Sequence, residues 1–396
     1  MALSSNILII GGGTAGITIA ARLLKAEKNL KVKIIDPAER HYYQPLWTLV
    51  GGGLAKLEET DRKMGDVIPK NVTWVKERVS TINPKEKFVH TEEGSEHAYD
   101  GLVVAPGIRL AMEEVEGLTE ALANDHRVWT NYSVEYVNKG VEAINTFKGG
   151  DSYFTFPNSP VKCGGGPQKI MWITEQWLVK NKVKEASTVN FIAPGGEIFG
   201  VPKYRDALQL LVEDRGIKTH FKQHLVAINH KKSEIILENV ETKERSTKSY
   251  DLLHVTPPQR AFDFVKKSGI ANDAGFVDVN RETLQHVTYP EIFSAGDASS
   301  LPTAKTGAAI RKQAPILVHN LIAHLKQNAL KPSYDGYTSC PLVVSHNKVI
   351  LAEFGYDGSI LETFPFNQAK PRRSMYLLKR FMLPKIYFLG MLKGKM

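Results

Sequence analysis

Two residues in the 396-residue chain carry sulfur chemistry, Cys163 and Cys340, and two cysteines cannot build a disulfide scaffold at this size. Cys163 stands in Lys162-Cys163-Gly164-Gly165-Gly166-Pro167, just ahead of a helical pattern from Gln168 to Val179. An adjacent cation and the free N–H groups of a helix start both favour the thiolate, the reactive form of the side chain. Free cysteine is otherwise a small buried apolar residue, and positions 177 apart have no need to meet. An inert pair of thiols and a redox pair both stand on the residues alone. His254, Glu197 and Glu175 are the residues that could act as a base, but lone residues of these kinds are commonly structural and none is given a role. No metal site is expected.

A nucleotide is the second chemical signal. Asn6-Ile7-Leu8-Ile9-Ile10 runs into Gly11-Gly12-Gly13-Thr14-Ala15-Gly16, followed by the helical run Ile17 to Leu23. This is G-x-G-x-x-G between a strand and a helix: Gly11 for the tight turn, Gly13 for close approach of a pyrophosphate, Gly16 for helix-on-strand packing. The helix start offers N–H groups and a positive dipole end to the phosphates. A second strand, Lys31 to Ile35, ends at Asp36, where a carboxylate can accept from an adenosine ribose. The apolar run Gly101 to Val104 stops at Ala105-Pro106-Gly107, and another run delivers Gly296-Asp297 to a strand's carboxyl end. A helix from about Gly307 to Leu325 points its start at the same place.

The middle of the chain repeats this shape without its phosphate loop. The strand Val189 to Ala193 turns through Pro194-Gly195-Gly196-Glu197-Ile198-Phe199-Gly200, and a helix follows from Lys203 to Glu213. Counted from Gly195, Glu197 falls where the close-approach glycine belongs, which argues against a second nucleotide. The segment ending His254-Val255-Thr256-Pro257-Pro258 echoes Tyr99 to Gly107, so the α/β fold expected is a duplicated, Rossmann-like one. Pro37 to Trp47 reads as a loop near the ligand.

Composition is that of an ordinary globular chain, 42% hydrophobic and 23% charged, with a formal charge of +9. Much of the excess sits in the tail: Arg372, Arg373, Lys379, Arg380, Lys385, Lys393 and Lys395 punctuate an apolar stretch from Met375 to Leu392. Basic residues beside apolar ones predict helices lying in a membrane interface, split in two by Pro384; a tail packed on its own body or on a twin subunit is the other reading. Nucleic-acid binding is disfavoured by the same distribution. No run reaches the roughly eighteen apolar residues of a spanning helix, and Met1 to Ser5 leads straight into the first strand, with no secretory signal expected.

The glycine loop with Asp36, the Asp100–Gly107 segment and Thr288–Asp297 resemble the FAD-binding pattern of flavoprotein reductases with two dinucleotide domains. Within that group, Arg40-His41-Tyr42-Tyr43-Gln44-Pro45-Leu46-Trp47, Phe156 to Cys163, His254 to Pro258 and Tyr334 to Pro341 resemble the sulfide:quinone oxidoreductases, most of all their mitochondrial-type branch. The resemblance spans nearly the whole chain. It implies FAD held by Gly11, Gly13, Thr14, Ala15, Gly16, Asp36, Gln44, Val79, Gly107, Asp297, Lys305, Gly307, Ala308, Ala309 and Ile310. It implies a Cys163–Cys340 redox disulfide that hydrosulfide opens, giving a persulfide and a thiolate. Which cysteine carries the persulfide stays open. Some bacterial relatives use a third cysteine, which this chain lacks.

The partners expected from the resemblance are hydrogen sulfide, a membrane quinone and a small sulfur acceptor such as a thiol, sulfite or cyanide. A homodimer stays open, and Phe364, Phe366 and Tyr387 are the candidate quinone-pocket walls. The expected setting is peripheral, on a bacterial plasma membrane or, for a mature eukaryotic form, the mitochondrial inner membrane. The chain divides into an FAD domain (1–113 and 277–331), a second Rossmann-like domain (114–276) and a C-terminal region (332–396). NADH:quinone oxidoreductase, a cytochrome-linked sulfide dehydrogenase and an idle flavin-binding sensor are the competing readings.

Overall fold

The strand Asn6–Ile10 is buried at four of its five positions because it lies at the centre of a parallel sheet. In the computed structural model, which describes residues 5–331 and 333–396, that sheet has five parallel strands. They run Ile292–Ser294, Gly101–Val104, Asn6–Ile10, Lys31–Ile35, Val72–Val75, the order of half a doubly wound dinucleotide fold. Met1–Ser4, read above as leading into the first strand, and Pro332, the boundary set for the C-terminal region, lie outside the described residues.

A second five-stranded parallel sheet repeats the architecture, with strands Val128–Trp129, Leu252–His254, Gly150–Thr155, Ser187–Ala193 and Lys218–Phe221. Its Ser187–Ala193 strand, which starts two residues earlier than the sequence predicts, feeds the Pro194–Gly200 turn and the helix Pro202–Asp214, predicted to within a residue. The helix Gly166–Lys180 carries eleven buried residues and packs against both this sheet and the hairpin Thr338–Ser345/Lys348–Phe354. That hairpin ties the C-terminal region to the second sheet and brings Cys340 beside the start of the helix.

Two expectations are corrected. Arg40 to Trp47 is not a loop: Arg40–Tyr42 pairs antiparallel with Asp61–Lys63, and short helical turns follow at Gln44–Leu46 and Trp47–Gly51. Nor does Pro384 split the tail. Helical backbone continues from Arg373 through Lys393, with two π-turn stretches, Leu378–Met382 and Ile386–Gly390, either side of Leu383–Lys385. Proline lacks an N–H and crowds the preceding turn, and the widened turns around it absorb both defects. They also keep a four-residue spacing in register, so Arg373, Leu377, Phe381, Lys385, Leu389 and Lys393 all face outward and are exposed. The opposite side packs on the first domain: Arg22 and Lys25 donate to the carbonyls of Met396 and Gly394. No helix among the described residues is long and apolar enough to cross a membrane.

Candidate active site

The residues expected to hold a dinucleotide sit at the carboxyl ends of the first sheet. Gly11 has φ +103°, and a Cβ there would lie 2.3 Å from the Ala105 carbonyl oxygen, so only glycine fits. A Cβ on Gly16 would meet the Gly11 carbonyl at 1.9 Å. In contrast, Cβ positions at Gly13, Gly107 and Gly307 meet nothing within 4 Å, which leaves these backbones free to be approached by a ligand. The helices Thr14–Ala26 and Gly307–Leu325 carry no acidic residue in their first turns, leaving both starts positive for phosphate. Thr306 Oγ1 caps the second helix by accepting from Ala309 N–H, with Ala308 partly exposed and Ile310 buried in the same turn. These features fit a bound FAD.

The other expected FAD residues divide. Asp36 accepts from the N–H groups of Gly12 (2.6 Å) and Ala38 (2.7 Å), pinning the glycine loop at the end of its strand. Asp297 is half-buried, and desolvation raises its pKa against the pull of Lys305 and Lys162. Lys305 Nζ donates to the carbonyls of Asp297 (2.7 Å) and Ser299 (3.1 Å) and lies over the Phe276 ring; burial lowers it to about 8. Ala15 is buried and faces Gly296, Val79 is buried on its own short strand, and Gln44 is exposed on the Gln44–Leu46 turn.

The two cysteines meet. Cys163 Sγ and Cys340 Sγ lie 3.8 Å apart, across the seam between the Gly166–Lys180 helix and the Thr338–Ser345 strand. Cys163 adopts φ +55°, a left-handed conformation costing on the order of 1–2 kcal/mol for a residue with a Cβ. It is held there by two 2.7 Å bonds: its N–H donates to the Lys305 carbonyl and its carbonyl accepts from Gly166 N–H. The backbone of Cys163 is thus bonded directly into the loop that carries Asp297 and Lys305. Gly165 packs against Cys340: a Cβ there would lie 2.4 Å from Leu342 Cδ2 and 2.5 Å from Cys340 Sγ.

The cation beside Cys163 is not the one expected. Lys162 Nζ lies toward the Trp47 ring instead, and burial lowers it to about 8. Lys169, only 2% exposed, places Nζ 3.0 Å from Cys163 Sγ. Helical side chains lean toward the helix start, so a long one at Lys169 runs back over the first turn to reach Cys163. A hydrogen bond from the Cys340 thiol and the Lys169 ammonium together hold Cys163 well below the ordinary thiol range. The Cys163 anion and burial push Cys340 well above it, making Cys163 the thiolate and Cys340 the thiol.

A second lysine comes from the tail. Lys379, 3% exposed, donates to the Pro45 carbonyl at 3.1 Å; burial, then repulsion by Lys169, lowers it to about 7. Tyr387 lies nearby, its ring 4.6 Å from that of Tyr43 and its hydroxyl bonded to His41 Nε2 (2.6 Å) and Thr14 Oγ1 (2.9 Å). His41 in turn bonds the Gly12 carbonyl, so the tail is fastened to the glycine loop itself. Phe364 and Phe366 stack on each other under Arg372, and the described ring contacts do not join them to Tyr387.

None of the nominated bases is free. His254 is buried and pushed down to about 3, Glu175 pairs with Arg215 and Glu197 with Arg205. No metal-ligand cluster occurs among the described residues. A cleft of about 730 Å³ opens beside Gly164, walled by Phe156, Phe199, Phe276 and Phe354 and floored by Lys305. The Pro194–Gly200 turn, which would bind pyrophosphate in a working nucleotide domain, lines this cleft instead.

A glycine loop and a cysteine pair that both adjoin the Gly296–Lys305 segment are the marks of a flavin-disulfide oxidoreductase, and residues 5–166 match the family described as pyridine nucleotide-disulphide oxidoreductase. The chain is 44% identical over 390 residues to the mitochondrial sulfide:quinone oxidoreductase of Mus musculus, covering 98% of this chain and 86% of that one. It is 42% identical over 394 residues to the mitochondrial enzyme of Dictyostelium discoideum, covering 99% and 86%. The protein belongs to the sulfide:quinone oxidoreductase family, whose members are FAD-dependent flavoproteins. Among solved structures, the sulfide:quinone oxidoreductase of Aquifex aeolicus superposes with a TM-score of 0.83 at 19% identity, covering 99% of this chain and 92% of that one. The NDH2 of Plasmodium falciparum, solved with NADH, superposes with a TM-score of 0.66 at 13% identity, covering 98% and 99%. At these identities the likeness is one of fold.

Proposed function

We propose that the protein oxidises hydrogen sulfide at the Cys163–Cys340 pair and delivers the electrons, through FAD, to a membrane quinone. The observation that carries the reading is the junction of the two sites: Cys163 N–H donates to the Lys305 carbonyl, in the loop whose Lys305 side chain holds Asp297. Bound FAD supplies a two-electron acceptor that can hand its electrons on to a quinone. The residues proposed to hold it are those tested above, from the glycine loop and Asp36 to the Gly307 helix start.

The chain's own residues account for the sulfur step. With the pair oxidised to a disulfide, HS⁻ attacks one sulfur, the S–S bond breaks, and the products are a persulfide and a thiolate. The better leaving group is the sulfur with the lower pKa, which is Cys163, held by Lys169. The persulfide therefore forms on Cys340. Its outer sulfur passes to a small thiol, sulfite or cyanide entering by the cleft beside Gly164, leaving two cysteine thiols whose reoxidation to the disulfide would deliver two electrons to bound FAD.

The quinone is proposed to enter from the tail, between Lys379, Tyr387 and Tyr43, with Phe364 and Phe366 as outer walls. The exposed row of Leu377, Phe381 and Leu389, interspersed with Arg373, Lys385 and Lys393, suits attachment to an anionic membrane surface. The three curated relatives at 37–44% identity are named as mitochondrial, which favours the mitochondrial inner membrane over a bacterial one. The division into domains at 113, 276 and 331 follows the same proposal. An NADH-linked reaction is disfavoured because the Pro194–Gly200 turn has Glu197 at the close-approach position. Anaerobic bleaching of the flavin by sulfide, and not by NADH, followed by reoxidation with a soluble quinone, tests the reading.

A further inference from the structure

The tail reaches the glycine loop through a buried chain of three side chains. Tyr387, 3% exposed, stands 346 positions from His41 in the sequence, yet its hydroxyl lies 2.6 Å from His41 Nε2 and 2.9 Å from Thr14 Oγ1. His41 Nδ1 lies 3.1 Å from the Gly12 carbonyl oxygen. The partners fix the direction of each bond. A carbonyl only accepts, so Nδ1 carries the hydrogen. Burial keeps the ring neutral, so Nε2 accepts from the Tyr387 hydroxyl, whose oxygen accepts in turn from Thr14. Gly12 is then held from both sides, its N–H donating to Asp36 and its carbonyl accepting from His41. The Thr14 hydroxyl is turned to the tail, which leaves the free N–H groups of the helix start to a phosphate. Gly13, between the two held residues, stays exposed with nothing within 4 Å of a Cβ. Further along, the tail meets the same helix again: Lys25 and Arg22 donate to the carbonyls of Gly394 and Met396.

We propose that the tail is a clasp for FAD: Tyr387 and His41 are positioning residues that hold Gly12 and Thr14 in the shape a pyrophosphate meets, so that tail docking and flavin retention strengthen each other. The proposal rests on the reading above only in placing FAD at the glycine loop, and it holds whatever the electron donor. The coupling is reciprocal. By whatever factor the docked tail raises the affinity for FAD, bound FAD favours the docked tail by the same factor. A tail that served only to complete the fold would leave the affinity for FAD alone. The joint suits this task because it is made of directed bonds between buried groups: undocking the tail leaves His41 Nε2 and Thr14 Oγ1 without Tyr387 and frees the Gly12 carbonyl to move.

The test compares wild type with Tyr387→Phe, which keeps the ring beside Tyr43 and Phe388 and removes the hydroxyl that joins His41 to Thr14. Two quantities are read, with neither sulfide nor quinone present. One is the dissociation constant of FAD, from the rise in flavin fluorescence as the loaded protein is diluted. The other is the rate of trypsin cleavage after the exposed Lys385 and Lys393, before and after FAD is removed. Removing FAD is expected to speed cleavage of the wild-type tail, and Tyr387→Phe to raise the dissociation constant about tenfold, the loss of one buried hydrogen bond. An unchanged constant overturns the proposal, and so does a wild-type tail cleaved equally fast with and without FAD. If Tyr387→Phe does not fold, Gly394→Val loosens the tail away from the glycine loop, since a Cβ there would lie 2.8 Å from the Ala21 carbonyl carbon. Its dissociation constant must then rise severalfold, and an unchanged one overturns the proposal. Full affinity for FAD in Gly13→Val would instead sink the placement of FAD on this loop, before the tail is in question.

Discussion

Lys169 Nζ lies 3.0 Å from Cys163 Sγ, a contact made across the first turn of a helix by two residues six positions apart. It makes Cys163 the thiolate of the pair. Lys169→Met is therefore expected to raise the pH midpoint for alkylation of Cys163 in the reduced enzyme and to slow sulfide bleaching about tenfold or more. Lys169→Arg, keeping the charge on a different geometry, should recover part of the loss. Alkylation rates across pH, with mass spectrometry to locate the adduct, check both.

The tail lysine gives a pH-dependent counterpart. Burial lowers Lys379 to about 7, so it is a cation below that pH and neutral above it. Its charge helps to keep Cys163 ionised only on the acid side. Lys379→Met should match wild-type alkylation above about pH 8 and fall below it as the pH drops through 7. A difference confined to alkaline pH would contradict the assignment.

Much of this was legible in the sequence, and what was missed was missed for physical reasons. The glycine loop, the parallel strands and the missing second phosphate loop announce themselves because each requirement is local: a tight turn, a close approach, an apolar run. Cys163 is marked by the glycines that follow it. Lys169 carried a readable signal, since helical side chains lean backward, but the adjacent Lys162 looked the simpler choice; its Nζ turns toward Trp47 instead. Lys379 gave no such signal. It reaches the site through the docking of the tail, a contact with Pro45 334 positions away. The continuous tail helix is not legible because proline ordinarily interrupts a helix, whereas π-turns on both sides accommodate it here.

Gly165 is the steric hinge of the cysteine pair. Gly165→Ala forces a methyl group within 2.5 Å of Cys340 Sγ, which must displace the strand or the helix start. The variant should keep its flavin absorbance, because the glycine loop is untouched, while sulfide bleaching falls by at least tenfold. Loss of FAD together with activity would show that the two sites are not separable in this way.

The outward row on the tail predicts membrane attachment that can be removed without touching the chemistry. Phe381→Ser with Leu389→Ser should abolish co-sedimentation with anionic phospholipid vesicles and leave flavin bleaching by sulfide unchanged. High salt should weaken wild-type binding, since Arg373, Lys385 and Lys393 contribute through charge. Binding that survives both the substitutions and the salt would place the membrane surface elsewhere.

The most direct test of the account is anaerobic stopped-flow absorbance of the FAD-loaded protein mixed with sulfide, run beside NADH, for wild type and Cys163→Ser. Rapid bleaching by sulfide in wild type, none in Cys163→Ser and none with NADH is the predicted result. Bleaching by NADH with sulfide inert, or sulfide bleaching that survives Cys163→Ser, would contradict a disulfide route through Cys163 and Cys340.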